Sequence, residues 1–118
     1  MEKSHADADK WDRIYAKATD QPIVACRMLR EFSFLLPVSG HALDVACGRG
    51  GNALLLAEHG LQTTALDISR TALRGLGVLA KSRELSIELN EADTANFSAN
   101  SESFDVIVVS NYLDRDVC

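Results

Sequence analysis

The chain has 118 residues and a mass of 12.8 kDa, with 47% hydrophobic and 25% charged residues. This is the composition of one small globular domain, and it excludes a fibrous or disordered chain. The formal net charge is −5, and between Glu84 and Asp116 stand eight acidic residues and a single basic one, Arg115. This balance argues against a nucleic-acid partner for the C-terminal half.

Cysteines and histidines form no recognisable metal or redox motif. Cys26, Cys47 and Cys118 make no CxxC pair, and their odd number argues against a disulfide framework and favours a cytoplasmic location. The three histidines lack metal-ligand spacing, so we predict no metal site. The polar N-terminus is followed by no long apolar run, which predicts neither a signal peptide nor a membrane span.

The N-terminal segment predicts two helices. The first is expected from about Asp7 to Ala18, and Asp20 and Pro22 supply the cap and first turn of the second. The second helix carries an apolar stripe at helical spacing, which predicts packing on a large surface. The residues of this stripe are Val24, Ala25, Met28, Leu29, Phe32, Leu35 and Leu36.

From His41 onward, short apolar runs alternate with helical segments. The pattern predicts strands near 42–46, 62–66, 85–89 and 104–110, and helices near 51–59 and 69–82. Strands separated by single helices indicate right-handed crossovers and a parallel sheet, so the predicted fold class is α/β and doubly wound. The alternating strand at 85–89 is typical of an edge, and the continuous VIVV at 106–109 is typical of a sheet interior.

Nine residues follow Val109, too few for a covering helix and a further strand. The last strand would then expose one edge, which folded proteins avoid. We therefore expect the chain to be the front part of a longer domain, incomplete at its C-terminus. The alternative is a homodimer that pairs the two exposed fourth strands.

The stretch LDVACGRGGNA at 43–53 places a glycine-rich turn between a strand and a helix, which is where open α/β sheets bind ligands. Gly48, Gly50 and Gly51 remove side chains, so that a ligand can approach the backbone, and they permit a sharp turn. Gly48, Gly50 and Ala53 also fit a dinucleotide pattern, with Asp67 nineteen residues after Gly48. Taken alone, that pattern is weak.

Asp44 decides between the possible ligands. Its carboxylate would repel a diphosphate at a poorly screened site, and it would attract a ligand that carries an ammonium and a sulfonium. The charge therefore favours a cationic ligand over a nicotinamide or flavin dinucleotide. A structural role is equally open, in which Asp44 accepts hydrogen bonds from backbone N–H groups of the glycine turn.

The same stretch resembles motif I of the class I S-adenosylmethionine-dependent methyltransferases, with Ala46 in place of the first glycine of DxGxGxG. ALDIS at 65–69, NEAD at 90–93 and FDVIVVSNYL at 104–113 resemble the ends of the second, third and fourth strands of that family. The resemblance covers roughly 38–113. The preceding helices resemble the N-terminal cover of small-molecule members, such as the tellurite-resistance and thiopurine methyltransferase-like branches.

This resemblance implies a Rossmann-like sheet with strand order 3-2-1-4, preceded by two helices. Residues 1–37 would form the helical cover, and residues 38–118 an incomplete half-domain that binds S-adenosylmethionine, with S-adenosylhomocysteine as the product. Asp67 would accept hydrogen bonds from both ribose hydroxyls, a task suited to one carboxylate, and Ile68 would lie against the adenine. Asp93 would accept from the adenine amine, and the N–H of Thr94 would meet a ring nitrogen.

Other positions are expected to hold the rest of the cofactor. Backbone groups around Ala46 and Gly48, with the carbonyl of Ser110, would surround the methionyl portion. Trp11 and Tyr15 lie four residues apart on one face of the first helix, and they either anchor it to the sheet or form a lid over the cofactor. For Asp67 and Asp93 the alternative is a plain loop-capping role.

The predicted activity is methyl transfer to an unidentified small-molecule acceptor, without a nucleic-acid or membrane partner. No catalytic residue is assigned, because an already deprotonated acceptor needs no general base and positioning contributes most of the rate. Two alternatives are a non-catalytic module that binds the cofactor or dimerises, and a fragment of an NAD-dependent oxidoreductase, against which Asp44 argues.

Overall fold

A computed structural model describes residues 2–17, 23–92 and 103–109 of the chain. The elements in chain order are α1 (Glu2–Lys17), α2 (Arg27–Glu31), a 3₁₀ turn (Ser33–Leu35), β1 (His41–Val45), α3 (Gly51–Glu58), β2 (Gln62–Asp67), α4 (Arg70–Ser82), β3 (Ile87–Glu91) and β4 (Val106–Val109). Within these described ranges, no helix is long and apolar enough to cross a membrane.

The four strands form one parallel sheet in the order β3-β2-β1-β4, which confirms the predicted α/β class and strand order. One face of the sheet carries Ala42 and Ala65, which are fully buried in clusters with side chains of α3 and α4. On the other face Leu43 and Leu66 form a third buried cluster, against which Phe104 packs. Burial of each such leucine contributes roughly 1.5–3 kcal/mol.

The two edges of the sheet differ from each other in composition. β3 lies at one edge, as its alternating sequence predicts. Among the described strands β4 lies at the other edge, so the prediction of an interior position for VIVV is not met there. Val106 and Val108 pack against the buried cluster that contains Ala42, whereas Ile107 and Val109, on the other face of the strand, are 40% and 58% exposed. A homodimer through β4 stays a prediction.

The second predicted helix is much shorter than its apolar stripe. α2 ends at Glu31, Phe32 leaves the helical conformation with φ −108° and ψ 16°, and a 3₁₀ turn follows. Because a 3₁₀ turn has three residues per turn, it does not keep a stripe spaced for an α-helix on one face. The predicted cap at Asp20 and Pro22 lies outside the described residues.

The stripe itself is divided by this change of geometry. Leu29 and Leu36 pack against the buried cluster that contains Ala42. Met28 and Leu35, in contrast, are 50% and 69% exposed. The prediction that the whole stripe packs on a large surface is therefore wrong. The predicted division of the chain at residues 37 and 38 stays a prediction.

α4 matches its prediction closely. Ser69 caps the helix, since its Oγ accepts a hydrogen bond of 3.1 Å from the backbone N–H of Ala72. The predicted inner stripe is buried at Ala72, Leu73, Leu76 and Ala80. The bounds of the other strands and of α3 differ from the predicted ones by one or two residues at most ends, which is the usual uncertainty of helix and strand ends.

Gly75 offers a direct test of helix propensity in α4. A Cβ built at this exposed position meets no atom within 4 Å. We expect Gly75→Ala to raise the free energy of unfolding by about 0.5–1 kcal/mol, because alanine loses less backbone entropy on folding. Urea unfolding at constant m-value measures the change. Gly77→Ala is the matched control and should gain less, because its Cβ would lie 3.0 Å from Cδ1 of Leu89. An equal gain at both positions would contradict this account.

Candidate functional site

The turn after β1 is built from residues with left-handed backbone. Ala46, Gly48 and Gly50 have φ values of 59°, 57° and 93°. The turn is tied to the neighbouring strand, since the N–H of Cys47 donates to the carbonyl of Leu66 at 2.9 Å. For a residue with a Cβ such as Ala46, the left-handed conformation costs roughly 1–2 kcal/mol. The position where the resembling motif has glycine is therefore strained in this chain.

Gly50 and Gly51 are required by packing within the protein. A Cβ on Gly51 would lie 2.1 Å from the carbonyl oxygen of Val24, and one on Gly50 would lie 2.4 Å from Cδ1 of Leu76. The sequence argument gave these glycines the task of letting a ligand approach. The structure gives them a different one, because they admit the backbone of residues 24–25 and a leucine of α4.

Asp67 joins the glycine turn to the start of α4. Its Oδ2 accepts from the N–H of Gly48 at 2.7 Å, and its Oδ1 accepts from the N–H of Ser69 at 2.8 Å. The side chain is buried, with 2% exposure. The loop-capping role is thus present. Each carboxylate oxygen can accept a second hydrogen bond, so the ribose contact of Asp67 stays a prediction.

Asp44 is a buried carboxyl group at the carboxyl end of β1. It is fully buried, and neither of its oxygens has a hydrogen-bond partner among the residues that the structure describes. Burial, and then the charge of Asp67, raises the pKa of Asp44 to about 8, although the nearby N–H of Ala53 lowers it in part. The proposed structural role of accepting from the glycine turn belongs to Asp67 and is not seen for Asp44.

Cys47 lies inside the same turn as a free, buried thiol. Its Sγ donates to the carbonyl of Gly48 at 3.6 Å. Burial, together with the charges of Asp44 and Asp67, raises the pKa of this thiol above its usual range. Cys47 is therefore a small buried filler, as the sequence predicts.

Several predicted site residues cannot be placed. Asp93, Thr94 and Ser110 lie outside the described residues, and Tyr15 belongs to α1 but its side chain is likewise outside the description. Ile68 directly follows Asp67 and is half-buried. In the described ranges, no group of three or more His, Cys, Asp or Glu side chains could hold a metal ion.

Two residues near the site were missed by sequence reasoning. Asp12 of α1 accepts hydrogen bonds from Ser69 Oγ at 2.5 Å and from the N–H of Thr71 at 3.1 Å. Asn52 of α3 is buried, and its Oδ1 accepts from the N–H of Cys26 at 2.8 Å. The hydrogen bonds of Asp12 and Asn52 join residues that are far apart in the chain, so no local sequence pattern indicates them. An Asp on an otherwise polar helix reads as a solvated side chain.

The sheet order, the left-handed turn after β1 and the acidic residues that end β1 and β2 define a Rossmann-like α/β protein. Its candidate site lies at the carboxyl edge of the sheet. The family follows from the sequence comparison. Residues 42–117 match a family described as the methyltransferase domain, and the chain belongs to this family.

Individual relatives agree with this assignment. The ubiquinone biosynthesis O-methyltransferase of Coxiella burnetii is 29% identical over 75 residues, which are 64% of this chain and 32% of that protein. An S-adenosylmethionine-dependent methyltransferase from Clostridium acetobutylicum is 25% identical, with a TM-score of 0.60 over 86% of this chain and 43% of its own. A structure from work on the conversion of a disulfide bond into a thioacetal group during echinomycin biosynthesis has the same fold, with 24% identity and a TM-score of 0.72 over 89% of this chain and 48% of its own.

The relatives are much longer than this chain. The chain spans about a third of the length of the curated relatives that it matches, 32% in the case of the Coxiella protein, and less than half of the two solved structures. What those longer proteins do as a whole is therefore carried over to this chain as a proposal.

Proposed function

We propose that this chain binds S-adenosylmethionine at the glycine turn and supports methyl transfer to a small-molecule acceptor. Membership of the methyltransferase family supports the reaction class. The single observation that carries the site assignment is Asp44, a fully buried carboxyl group at the end of β1 whose two oxygens have no hydrogen-bond partner in the described part of the chain.

The residues at the turn fit a cationic nucleoside. An unpartnered carboxyl group in a poorly solvated site is costly as an anion unless it is paired with a positive charge. S-adenosylmethionine carries positive charge on its ammonium and sulfonium groups. A dinucleotide would instead bring its diphosphate towards Asp44 and Asp67, where burial and then the charge of Asp67 already raise the pKa of Asp44.

When it is bound, S-adenosylmethionine supplies an electrophilic methyl group, and S-adenosylhomocysteine is the product. The chain's own contribution is binding and orientation. Asp44 would offset the positive charge, Asp67 would accept from the ribose hydroxyls, and backbone groups of Ala46 and Gly48 would face the methionyl portion. Orientation of this kind supplies most of the rate when the acceptor is already nucleophilic, and we assign no general base.

For the acceptor we propose a small molecule, as in the tellurite-resistance and thiopurine methyltransferase-like branches. The first support is the helical segment before β1, which resembles the cover of those enzymes. In the structure α1 of this segment lies against the start of α4, next to Asp67. The acidic C-terminal half is also a poor match for a nucleic-acid substrate.

Titration calorimetry tests the cofactor assignment. We expect S-adenosylhomocysteine to bind the folded chain with measurable heat. NADH at the same concentrations should bind far more weakly, because its diphosphate would lie beside the Asp67 carboxylate and offers no positive charge to Asp44. Circular dichroism before titration establishes that the sample is folded. If NADH binds and S-adenosylhomocysteine gives no heat of binding, the proposed function is overturned.

A further inference from the structure

Helix α1 contacts the start of α4 through hydrogen bonds of described residues. Its sixteen residues, Glu2–Lys17, include few large apolar side chains, and one of these, Ile14, is 39% exposed. The hydrogen bonds that cross from α1 to its neighbour therefore matter for the position of the helix.

Asp12 makes those bonds. Its Oδ1 accepts from Ser69 Oγ and from the N–H of Thr71, which lie at the cap and in the first turn of α4. Burial acts to raise the pKa of Asp12. The hydrogen bonds from Ser69 and Thr71, with the positive charge of Arg70, outweigh it and leave that pKa below its ordinary value. The carboxylate is thus ionised and matched to the N-terminal end of a helix, where negative charge is favoured.

Ser69, which donates its hydroxyl to Asp12, is itself part of the candidate site. Ser69 donates its N–H to Asp67, and Asp67 accepts from the N–H of Gly48 in the glycine turn. A continuous series of hydrogen bonds therefore runs from α1 through Ser69 and Asp67 to Gly48. Any movement of α1 away from α4 removes the partner of the Ser69 hydroxyl and loosens the residue that fixes Asp67.

We propose that Asp12 is a positioning residue for the cofactor site: it holds α1 against the start of α4 and, through Ser69, fixes the Asp67 carboxylate in its binding orientation. The inference rests on the proposed function. Asp12 lies outside the motifs that resemble the methyltransferase family. It belongs to the same helix as Trp11 and Tyr15, the aromatic residues for which the sequence suggests a lid over the cofactor. Asp12 acts through Ser69 and needs no contact of its own with the cofactor.

Three variants separate this role from general destabilisation. Asp12→Ala removes the acceptor, and Asp12→Asn keeps an acceptor oxygen at the same place. Asp9→Ala removes a negative charge from an exposed position one turn earlier on the same helix. We expect Asp12→Ala to bind S-adenosylhomocysteine about tenfold more weakly, the loss typical of a charge-assisted hydrogen bond. Asp12→Asn and Asp9→Ala should stay within about threefold of the wild type, since neither loses the contact to Ser69.

A second readout does not depend on the ligand. Trp11 is the single tryptophan of the chain and directly precedes Asp12. Its ring is half-buried, with Lys10 Nζ 5.7 Å from the ring centroid. In the absence of ligand, Asp12→Ala should shift the Trp11 emission to longer wavelength because α1 leaves α4, and Asp12→Asn should not.

The outcomes distinguish the two proposals. If the wild type does not bind S-adenosylhomocysteine, the proposed function fails, and the Trp11 emission still decides whether Asp12 holds α1. If the wild type binds and Asp12→Ala binds equally well, the positioning role is overturned. Should Asp12→Ala not fold, Asp12→Glu takes its place: it keeps the charge but moves the acceptor by one methylene, and unchanged binding and emission would again refute the role.

Discussion

Replacing Asp67 by alanine is expected to weaken the binding of S-adenosylhomocysteine by about 10- to 150-fold, the equivalent of lost charge-assisted hydrogen bonds to the ribose. The same change should destabilise the fold, because the N–H groups of Gly48 and Ser69 both lose their acceptor. An unsatisfied buried N–H costs roughly 1–3 kcal/mol. Part of that cost is offset because the repulsion between Asp67 and Asp44 disappears. Calorimetry measures the affinity, and urea unfolding measures the stability.

Glu91→Ala is the matched control for Asp67→Ala. Glu91 occupies the register position of β3 that pairs with Asp67 in the sheet. It forms an exposed ion pair with Arg70, at 2.9 Å and with 66% and 45% exposure of the Arg70 and Glu91 side chains. Such surface pairs contribute about 0–1 kcal/mol, so the control should change stability little and leave affinity intact. Unchanged affinity in Asp67→Ala would move the ribose contact to another residue.

Asp44→Asn is expected to remove a pH dependence from the stability of the protein. The pKa of this carboxyl is about 8 in the folded chain, against an ordinary value of 3.8. The folded state therefore holds the proton more tightly than the unfolded state, and the free energy of unfolding falls as pH rises between these two values. The slope from one such group approaches about 1.4 kcal/mol per pH unit. Asparagine does not titrate, so the variant lacks this slope.

The expected result is a gap in stability that widens with pH. The variant should resemble the wild type at about pH 4, near the ordinary pKa of the carboxyl, and exceed it increasingly up to about pH 8, where the wild type carries a buried anion. The variant should bind S-adenosylhomocysteine more weakly than the wild type. We expect the affinity of the wild type to rise between about pH 5 and about pH 7, and the affinity of the variant not to rise. Urea midpoints and calorimetry at each pH provide the measurements.

Asp9→Asn is the control for Asp44→Asn, since it removes an exposed carboxylate from α1. It should keep the pH slope of the wild type. Parallel pH profiles for Asp44→Asn and the wild type would mean that the Asp44 carboxyl finds a partner in solution, and the argument for a cationic ligand would lose its basis.

Some predictions from the sequence were accurate because they depend on local rules. The cap at Ser69 and the apolar spacing of α4 are local features, and the helix has the predicted range. The third strand was placed at 85–89 and lies at Ile87–Glu91. The alternating apolar residues Ile87 and Leu89 lie within both ranges, and they pack against the buried cluster that includes residues of α4. The edge position of this strand was predicted correctly although its ends were not.

Other features depend on contacts that no local pattern contains. The apolar spacing of residues 24–36 does not indicate where the chain changes from α to 3₁₀ geometry, so the length of α2 was overestimated. The sequence placed both Asp44 and Asp67 at the candidate site, but it could not show that Asp67 accepts two backbone N–H groups and that Asp44 accepts none from the described residues. The contact of Asp12 with Ser69 spans 57 residues, so it could not be predicted from local sequence patterns either.

The protonated thiol of Cys47 has a consequence for a site that handles a methylating agent. Thiolates attack methyl sulfonium compounds readily, whereas neutral thiols are poor nucleophiles. With Asp44 and Asp67 beside it and almost no solvent around it, Cys47 is kept in the unreactive form. With the cofactor bound at this turn as proposed, burial and the two carboxyl groups together would shield the protein from methylating itself, so that the donor is consumed by the incoming acceptor.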